Sequence, residues 1–88
     1  MYNGSKGGID MLDAKVVGGV IQAYREEKGL SQEVVSGLAD IGRTHLSAIE
    51  RGQRKPTLDT FFKIAQAMNI PPHQLMKRIE DNINQTNG

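Results

Sequence analysis

The chain has 88 residues and a net charge of +1, with 38% hydrophobic, 24% charged and 5% aromatic residues, and this length suffices for one small domain. It has no cysteine, which excludes a disulfide framework and a cysteine metal site, and its two histidines lie far apart, so we expect neither a metal nor a cofactor. No apolar run approaches the ~18–20 residues of a membrane span, and the first residues lack the apolar core of a signal peptide, so we expect a cytoplasmic protein.

The N-terminal part predicts an arm followed by a helix. Residues 1–12 are rich in Gly, Asn and Ser, which indicates a flexible N-terminal arm before one folded domain over residues 13–83, with a frayed polar tail over residues 84–88. The first helix starts at an N-cap at Asp13, because apolar residues recur at helical spacing from there. It ends at Glu27, before a Lys-Gly stop signal.

Two short helices with a tight link come next. Ser31 is a good N-cap for a helix over Gln32–Ala39, and a third helix is predicted over Arg43–Arg51. The break between them, Asp40–Gly42, contains residue types that accept left-handed backbone. Its three residues are the length of a helix-turn-helix corner, and Ile41 supplies the apolar residue that such a crossing needs.

The C-terminal half predicts two more helices. Thr57 caps the fourth, whose apolar face is predicted to comprise Leu58, Phe61, Phe62, Ala65 and Met68. A Pro-Pro pair opens the fifth, whose apolar residues are Leu75, Met76, Ile79 and Ile83. Five short helices with short connections predict a compact all-α bundle.

The positive charge is concentrated in one stretch. Residues 43–55 contain four basic residues and one acidic residue, whereas residues 31–42 contain two acidic residues and no basic one. A local basic patch indicates an anionic partner, although a solvated basic surface would have the same composition.

The stretch SQEVVSGLADIGRTHLSAIERGQRKPTLDTFFKIAQAMNI resembles the phage-repressor, or Cro/XRE-like, helix-turn-helix family. The resemblance rests on Gln32 after an N-capping Ser, apolar Ile41 in the turn, the run 43–52 as a third helix, and a basic loop with Pro56 before the next helix. It covers the chain from about Val16 to Met76. It implies the lambda-repressor-like fold, a compact five-helix bundle.

In that family the third helix enters the major groove of DNA, and residues near its N-terminus meet base edges. By position, the resemblance assigns base contacts to Arg43, Thr44 and Ala48, with Ser47 close by. A guanidinium can pair with both O6 and N7 of guanine, a contact worth ~1–3 kcal/mol of discrimination. The alternatives are a phosphate contact for Arg43 and helix capping for Thr44, and Ala48 offers at most a methyl contact.

The resemblance also implies contacts with the DNA backbone. They are assigned to Gln32, His45, Arg54, Lys55 and Thr57. Amide groups at a helix start favour a phosphate, and each neutralised phosphate steepens the salt dependence of binding. For Gln32 the alternative is plain helix-start chemistry.

Arg25 and Glu50 match a family ion pair that bridges the first helix and the end of the third. A partly desolvated pair orients groups more than it stabilises them. Its expected use is therefore to fix the pitch of the reading helix, and the alternative is two independent surface charges.

The function that the resemblance implies is a sequence-specific DNA-binding transcriptional regulator, a small repressor or controller. It would bind a palindromic operator in double-stranded DNA as a homodimer, with half-sites ~34 Å apart. We expect the dimer surface on the fifth helix, at Leu75, Met76, Ile79 and Ile83, unless these residues cap the core instead.

The alternative is a protein-interaction module of the same fold, such as an antitoxin or coactivator that acts through a protein partner. The basic stretch favours DNA over this alternative. No nucleophile–base–acid arrangement or glycine-rich phosphate loop is readable, so an enzyme is not expected. The apolar neighbours Val34 and Leu38 are expected to be covered by Ile9, Met11 and Leu12 of the arm, or by a partner.

Overall fold

The part of the chain that the structure describes folds into five helices joined by short connections. The computed structural model describes residues 12–87, and its helices are α1 (Ala14–Glu27), α2 (Gln32–Ala39), α3 (Arg43–Glu50), α4 (Leu58–Ala67) and α5 (Pro72–Asn87). The predicted all-α bundle is confirmed. Residues 1–11 of the predicted arm, and Gly88, lie outside the described residues. Within the described part, no helix is both long and apolar enough to cross a membrane.

Three helices begin at N-caps that the sequence predicts. Side-chain oxygens of Asp13, Ser31 and Thr57 accept hydrogen bonds from backbone N–H groups in the first turn, at 2.8, 3.1 and 3.1 Å. Each bond satisfies a donor that has no partner inside its helix. α3 begins after Gly42, which has no side chain to cap it, and ends one residue before the predicted Arg51.

The turn between α2 and α3 has the length of a helix-turn-helix corner. Asp40 adopts the predicted left-handed conformation, with φ 58° and ψ 46°, and the amide of Ile41 donates to the carbonyl of Ser36 at 3.0 Å. The Ser36 side chain is buried, and its hydroxyl donates to the carbonyl of Glu33 at 3.3 Å. The Ile41 amide and the buried Ser36 hydroxyl are therefore both paired at the corner.

One hydrophobic core lies between the helices, and every helix contributes to it. α2 packs against α4, while α1 packs against α3 and α5. The buried apolar residues are Val17, Val20, Ile21, Val35, Ala39, Leu46, Ile49, Phe61, Ile64, Ala65, Met68, Ile70, Leu75 and Ile79. Full burial of a large apolar side chain contributes about 1.5–3 kcal/mol, so this core is the main stabilising feature of the fold.

The buried face of α4 differs from the prediction. Its stripe runs from Phe61 to Met68 and includes Ile64, which was not predicted, whereas Leu58 and Phe62 are 73% and 49% exposed. Phe62 follows Phe61 by one residue, which is a rotation of about 100° around the helix. Leu58 lies in the first turn, beyond the edge of the core. The prediction that Leu58 and Phe62 face the core is wrong.

α5 also differs from the prediction in its length. It continues to Asn87, past the predicted end at Ile83, so most of the predicted frayed tail is helical. Leu75 and Ile79 are 0% exposed, so both lie in the core, as the alternative stated for them expects. Their place in a dimer interface stays a prediction. Met76 and Ile83 pack against the core only in part, and they stay predicted interface residues.

α1 and α3 approach each other backbone to backbone at Gly18. A Cβ atom built there would lie 2.0 Å from the carbonyl oxygen of Ile49 and 2.8 Å from that of Glu50. Any larger residue would therefore push α3 away. A Cβ atom on Gly19 would meet no atom within 4 Å. Only the first glycine of the pair is needed for helix packing.

Polar side chains also link α1 to α5. Nη1 of Arg78 donates to Oε1 of Glu27 at 2.9 Å, Nη2 donates to Oε2, and Cζ lies 4.4 Å from the ring centroid of Tyr24. Nε2 of Gln74 donates to the Tyr24 hydroxyl at 3.2 Å. The hydrogen bonds from Arg78 hold the pKa of Glu27 below its ordinary value of 4.5. This cluster fastens α5 to the outer side of α1.

Replacing Gly18 with Ala is expected to destabilise the fold by at least about 2 kcal/mol, because the new methyl group overlaps the carbonyl oxygens of α3. Replacing Gly19 with Ala is expected to stabilise the fold by ~0.5–1 kcal/mol, because Gly inside a helix costs that much relative to Ala. Urea unfolding measures both changes. Equal unfolding midpoints for the two variants would contradict the close helix approach.

The contribution of the Glu27–Arg78 pair should depend on pH. Since the pKa of Glu27 is lowered by folding, the contribution is complete above the ordinary value of 4.5 and is lost as pH falls through the folded-state pKa. The unsubstituted chain is expected to melt above the Glu27→Gln variant at about pH 7, and together with it at about pH 2. Because the Glu27 side chain is 55% exposed, added salt should shrink the difference at neutral pH. A difference that persists at low pH would contradict this assignment.

Candidate nucleic-acid interface

α3 presents one polar stripe to solvent. Arg43 and Thr44 are exposed in its first turn, and Ser47 and Ala48 lie half-buried one turn later, whereas Leu46 is 0% exposed in the core. Positions spaced i, i+1, i+4 and i+5 share one face of a helix. The structure therefore brings together the four residues that were predicted to contact bases.

Arg51 connects this stripe to the following loop. Its Nη1 donates to the hydroxyl of Ser47, and its Nη2 donates to Oε1 of Gln53 at 3.0 Å. No feature of the sequence indicated this role for Arg51. The hydroxyl of Ser47 thus has an intramolecular partner, Arg51, next to the polar stripe. His45, predicted to contact the DNA backbone, is half-buried on α3.

The C-terminal end of α3 is held by a buried carboxylate. The Glu50 side chain is 1% exposed and accepts hydrogen bonds from Nε of Arg25 at 2.7 Å and from its Nη2 at 2.9 Å. Nε2 of Gln32 donates a third bond at 2.9 Å, and Nη1 of Arg25 donates to the carbonyl of Leu30 at 2.8 Å. The structure thus brings Arg25 and Glu50 together and joins α1, α2 and α3 at one carboxylate.

The Arg25–Glu50 network orients α3 more than it stabilises the fold. The hydrogen bonds to Glu50 raise the pKa of Arg25 above its ordinary value, against the opposing effect of burial. Bidentate, charge-assisted bonds are strong and directional, but the loss of hydration cancels much of their free energy. The pair therefore sets where the end of α3 lies more than it adds to the free energy of folding.

Two residues predicted to contact phosphates have side-chain partners inside the domain. The amide nitrogen of Gln32 is bonded to Glu50, and its backbone N–H lies in the first turn of α2, where the helix offers it no acceptor. The Thr57 hydroxyl accepts from the amide of Thr60 and donates to its hydroxyl, both at 3.1 Å. Both side chains therefore position helices, and their predicted DNA contacts stay predictions.

The loop after α3 carries two more of the predicted residues. Arg54 and Lys55 are both exposed there. The amide of Gln53 donates to the carbonyl of Ala48 at 2.9 Å, and Gly52 turns the chain with a φ of 76°. The hydrogen bond from Gln53 attaches the start of the basic loop to α3, so the loop begins beside the polar stripe.

Burial of one carboxylate changes the charge that this surface presents. Glu50 is the single acidic residue in the stretch 43–55, and it is enclosed and paired with Arg25. The exposed charges of that stretch are therefore all positive, with Glu33 and Asp40 as exposed acidic neighbours on α2 and its cap. Among residues 12–87, no three Asp, Glu or His side chains lie together as a metal site would require. The arrangement suits a polyanion.

Comparison with a library of protein families matches residues 21–75 to the helix-turn-helix family. The chain is 39% identical over 62 residues to an uncharacterised HTH-type transcriptional regulator, y4dJ, of Sinorhizobium fredii, covering 70% of this chain and 80% of that protein. It is 33% identical over 58 residues to the control protein C.SmaI of Serratia marcescens, covering 66% of this chain and 69% of that protein.

Solved structures show the same similarity. The restriction-modification controller protein C.AhdI of Aeromonas hydrophila superimposes with a TM-score of 0.69 at 36% identity, over 72% of this chain and 96% of that one. C.Esp1396I bound to a 25-base-pair operator site superimposes with a TM-score of 0.74 at 27% identity, over 80% of this chain and 92% of that one.

Replacing Arg25 with Met is expected to destabilise the fold by about 3–5 kcal/mol, because it leaves the Glu50 carboxylate buried without a countercharge. The matched control is Lys77→Met, which removes an exposed ion pair with Asp81 and should cost no more than ~0.5 kcal/mol. Urea unfolding compares the two. A loss as small as that of the control would show that the Arg25–Glu50 pair does not constrain the fold.

Proposed function

The chain belongs to the helix-turn-helix family of phage-repressor (Cro/XRE-like) regulators, and on that premise we propose that it is a sequence-specific transcriptional regulator that reads operator DNA with α3. The family consists of DNA-binding regulators, not enzymes. The observation that carries the proposal is the combination found in α3. Its outward stripe is largely polar and is exposed in the first turn, while its C-terminal end is held by a buried network.

Arg43 is the proposed principal reader of sequence. It is exposed in the first turn of α3, where its guanidinium can reach O6 and N7 of a guanine. Thr44 beside it can meet a base edge through its hydroxyl or a thymine through its methyl group. Ser47 and Ala48 lie one turn further along the same face and complete the contact surface.

The backbone contacts are proposed on both sides of α3. Arg54 and Lys55 are exposed in the loop that is tied to α3, and they would neutralise phosphates of the adjoining strand. Gln32 would contribute its backbone N–H at the start of α2, because its side-chain amide is engaged by Glu50. His45 and Thr57 are the remaining members of this set.

The assembly on DNA is proposed to be a homodimer on a palindrome. A single domain with one reading helix covers one half-site, and two related half-sites lie ~34 Å apart, one helical turn. The relative C.Esp1396I has been crystallised as a tetramer in complex with its natural 35-base-pair operator. Met76 and Ile83 on α5 are the proposed dimer residues, since both keep part of their surface exposed.

A protein partner is a second candidate, and one observation favours it. Val34 and Leu38 are 46% and 68% exposed and lie one turn apart on α2. Two large apolar side chains in that arrangement present a surface that another protein could cover. Such a partner is compatible with DNA binding, because neither residue belongs to the polar stripe of α3.

Selection from a random duplex pool, sequenced after binding at ~50 mM and ~200 mM salt, tests the proposed function. The unsubstituted chain is expected to enrich a palindrome, and binding should weaken steeply at the higher salt. Arg43→Ala should lose one base preference in each half-site, with ~1–3 kcal/mol less discrimination there. Lys77→Ala on α5 is the matched control and should enrich the same palindrome as the unsubstituted chain.

Two results would overturn the proposal. The first is no enrichment at either salt concentration. The second is salt-sensitive binding without sequence preference that Arg43→Ala leaves unchanged, because this would reduce the basic surface to non-specific attraction. In either outcome the exposed Val34–Leu38 pair would become the better starting point for finding a partner.

A further inference from the structure

Arg51 follows the polar stripe of α3 and joins it to the next loop. It lies four residues beyond Ser47, on the same face, and it is exposed. Nη1 donates to the Ser47 hydroxyl, and Nη2 donates to Oε1 of Gln53 at 3.0 Å. The backbone N–H of Gln53 in turn donates to the carbonyl of Ala48 at 2.9 Å. The guanidinium is therefore held from two sides, and we call this arrangement the Arg51 clamp.

The charge of Arg51 is not neutralised within the clamp. Both of its side-chain partners are neutral groups, a hydroxyl and an amide, and no carboxylate of residues 12–87 forms an ion pair with it. A hydrogen bond from a charged donor is about twice as strong as one between neutral groups, and it polarises its acceptor. The guanidinium thus acts on the Ser47 hydroxyl as a fixed, positively charged donor.

This hydrogen bond decides which role the Ser47 hydroxyl has left. A serine hydroxyl has one O–H donor and two lone pairs, and it rotates to suit its partners. Arg51 occupies one lone pair, and its positive charge turns the O–H away from the guanidinium. Among the residues that the structure describes, no acceptor takes this O–H. The hydroxyl therefore presents its proton to a group that approaches the polar stripe.

We propose that Arg51 is a positioning residue that makes Ser47 a hydrogen-bond donor to DNA bases, and that it determines sequence preference without touching a base itself. This proposal rests on the proposed function. A serine that rotates freely can pair with base donors and acceptors alike. A serine fixed as a donor selects the acceptors of the major groove, O6 and N7 of guanine, N7 of adenine and O4 of thymine, over the N4 amino group of cytosine.

Gln53 keeps the guanidinium directed at Ser47. An exposed arginine beside DNA commonly contacts a phosphate, and a guanidinium with one partner could turn toward it. The bond from Nη2 to Gln53 fixes the orientation of the planar guanidinium, because its donors form a rigid fork. This orientation is present in the free protein, so DNA binding need not order the side chain.

A double-mutant cycle on sequence preference tests the proposal. The unsubstituted chain, Ser47→Ala, Arg51→Met and the double variant are each selected against a random duplex pool, and the preference at every base position is compared. The two single variants are expected to lose the same preference against cytosine, by about three- to tenfold, at one position in each half-site. In the Ser47→Ala background, Arg51→Met should cause no further loss at that position.

Arg54→Met is the matched control, because it removes another exposed arginine of the same segment. Arg54 is proposed to contact a phosphate, so its loss should weaken binding to all sequences alike. The same uniform weakening for Arg51→Met, with every base preference kept, would overturn the proposal in favour of a phosphate contact. A base preference that Arg51→Met removes even in the Ser47→Ala background would overturn it in favour of direct reading by Arg51.

Nitrogen NMR of the free protein tests the clamp without DNA. Two hydrogen bonds hinder rotation of the guanidinium, so Nη1 and Nη2 of Arg51 are expected to give separate signals at low temperature, and Ser47→Ala should merge them. Merged signals in the unsubstituted chain would overturn the proposal. Separate signals in a chain that enriches no sequence would overturn the proposed function, and with it the base-reading role of the clamp, although the clamp itself is formed.

Discussion

The buried carboxylate of Glu50 is the interaction on which the arrangement of the first three helices depends. It accepts two hydrogen bonds from Arg25 and one from Gln32, and it has almost no contact with solvent. Gly18 lets the backbone of α1 contact the same end of α3, because any side chain at this position would overlap the last carbonyl groups of α3. Side-chain hydrogen bonds and backbone contact thus fix one end of α3 in two independent ways.

This anchoring leaves the other end of α3 free for contacts outside the domain. Leu46 and Ile49 are buried in the core, and Glu50 is buried in the hydrogen-bonded network. The exposed face of α3 therefore carries polar and basic groups. Burial of Glu50 also removes the one negative charge of that stretch from the surface. The same carboxylate therefore positions the helix and makes the electrostatic surface around it more uniformly positive.

Local signals predicted much of this fold. The capping residues marked three helix starts, and the residue types of the Asp40–Gly42 turn indicated its left-handed geometry. The Arg25–Glu50 pair was predicted from the family resemblance, because no local sequence signal connects residues so far apart in the chain. Helical spacing alone could not tell how far the core extends. It therefore placed Leu58 and Phe62 inside and left open whether Leu75 and Ile79 face the core or a partner.

The contacts that sequence reasoning missed are long-range and polar. The Gln32 amide reaches a carboxylate at the far end of another helix, and Arg78 meets Glu27 and Tyr24 across the α1–α5 packing. Gln and Arg occur on most helix surfaces, so their identity does not reveal their partners. Only the packing of helices, which the apolar core decides, brings these groups within hydrogen-bonding distance.

The length of α3 determines how precisely its orientation must be fixed at the Glu50 end. From Glu50 to Arg43 the helix rises by ~10 Å. A rotation about the buried Glu50 carboxylate, the pivot, therefore displaces Arg43 in proportion to this distance. An angular error of about 3° at the pivot displaces the far end by ~0.5 Å, which is the positional precision that directional contacts require. A longer helix would amplify the same error in proportion. A helix of two turns therefore keeps the displacement at Arg43 small for a given angular error at Glu50.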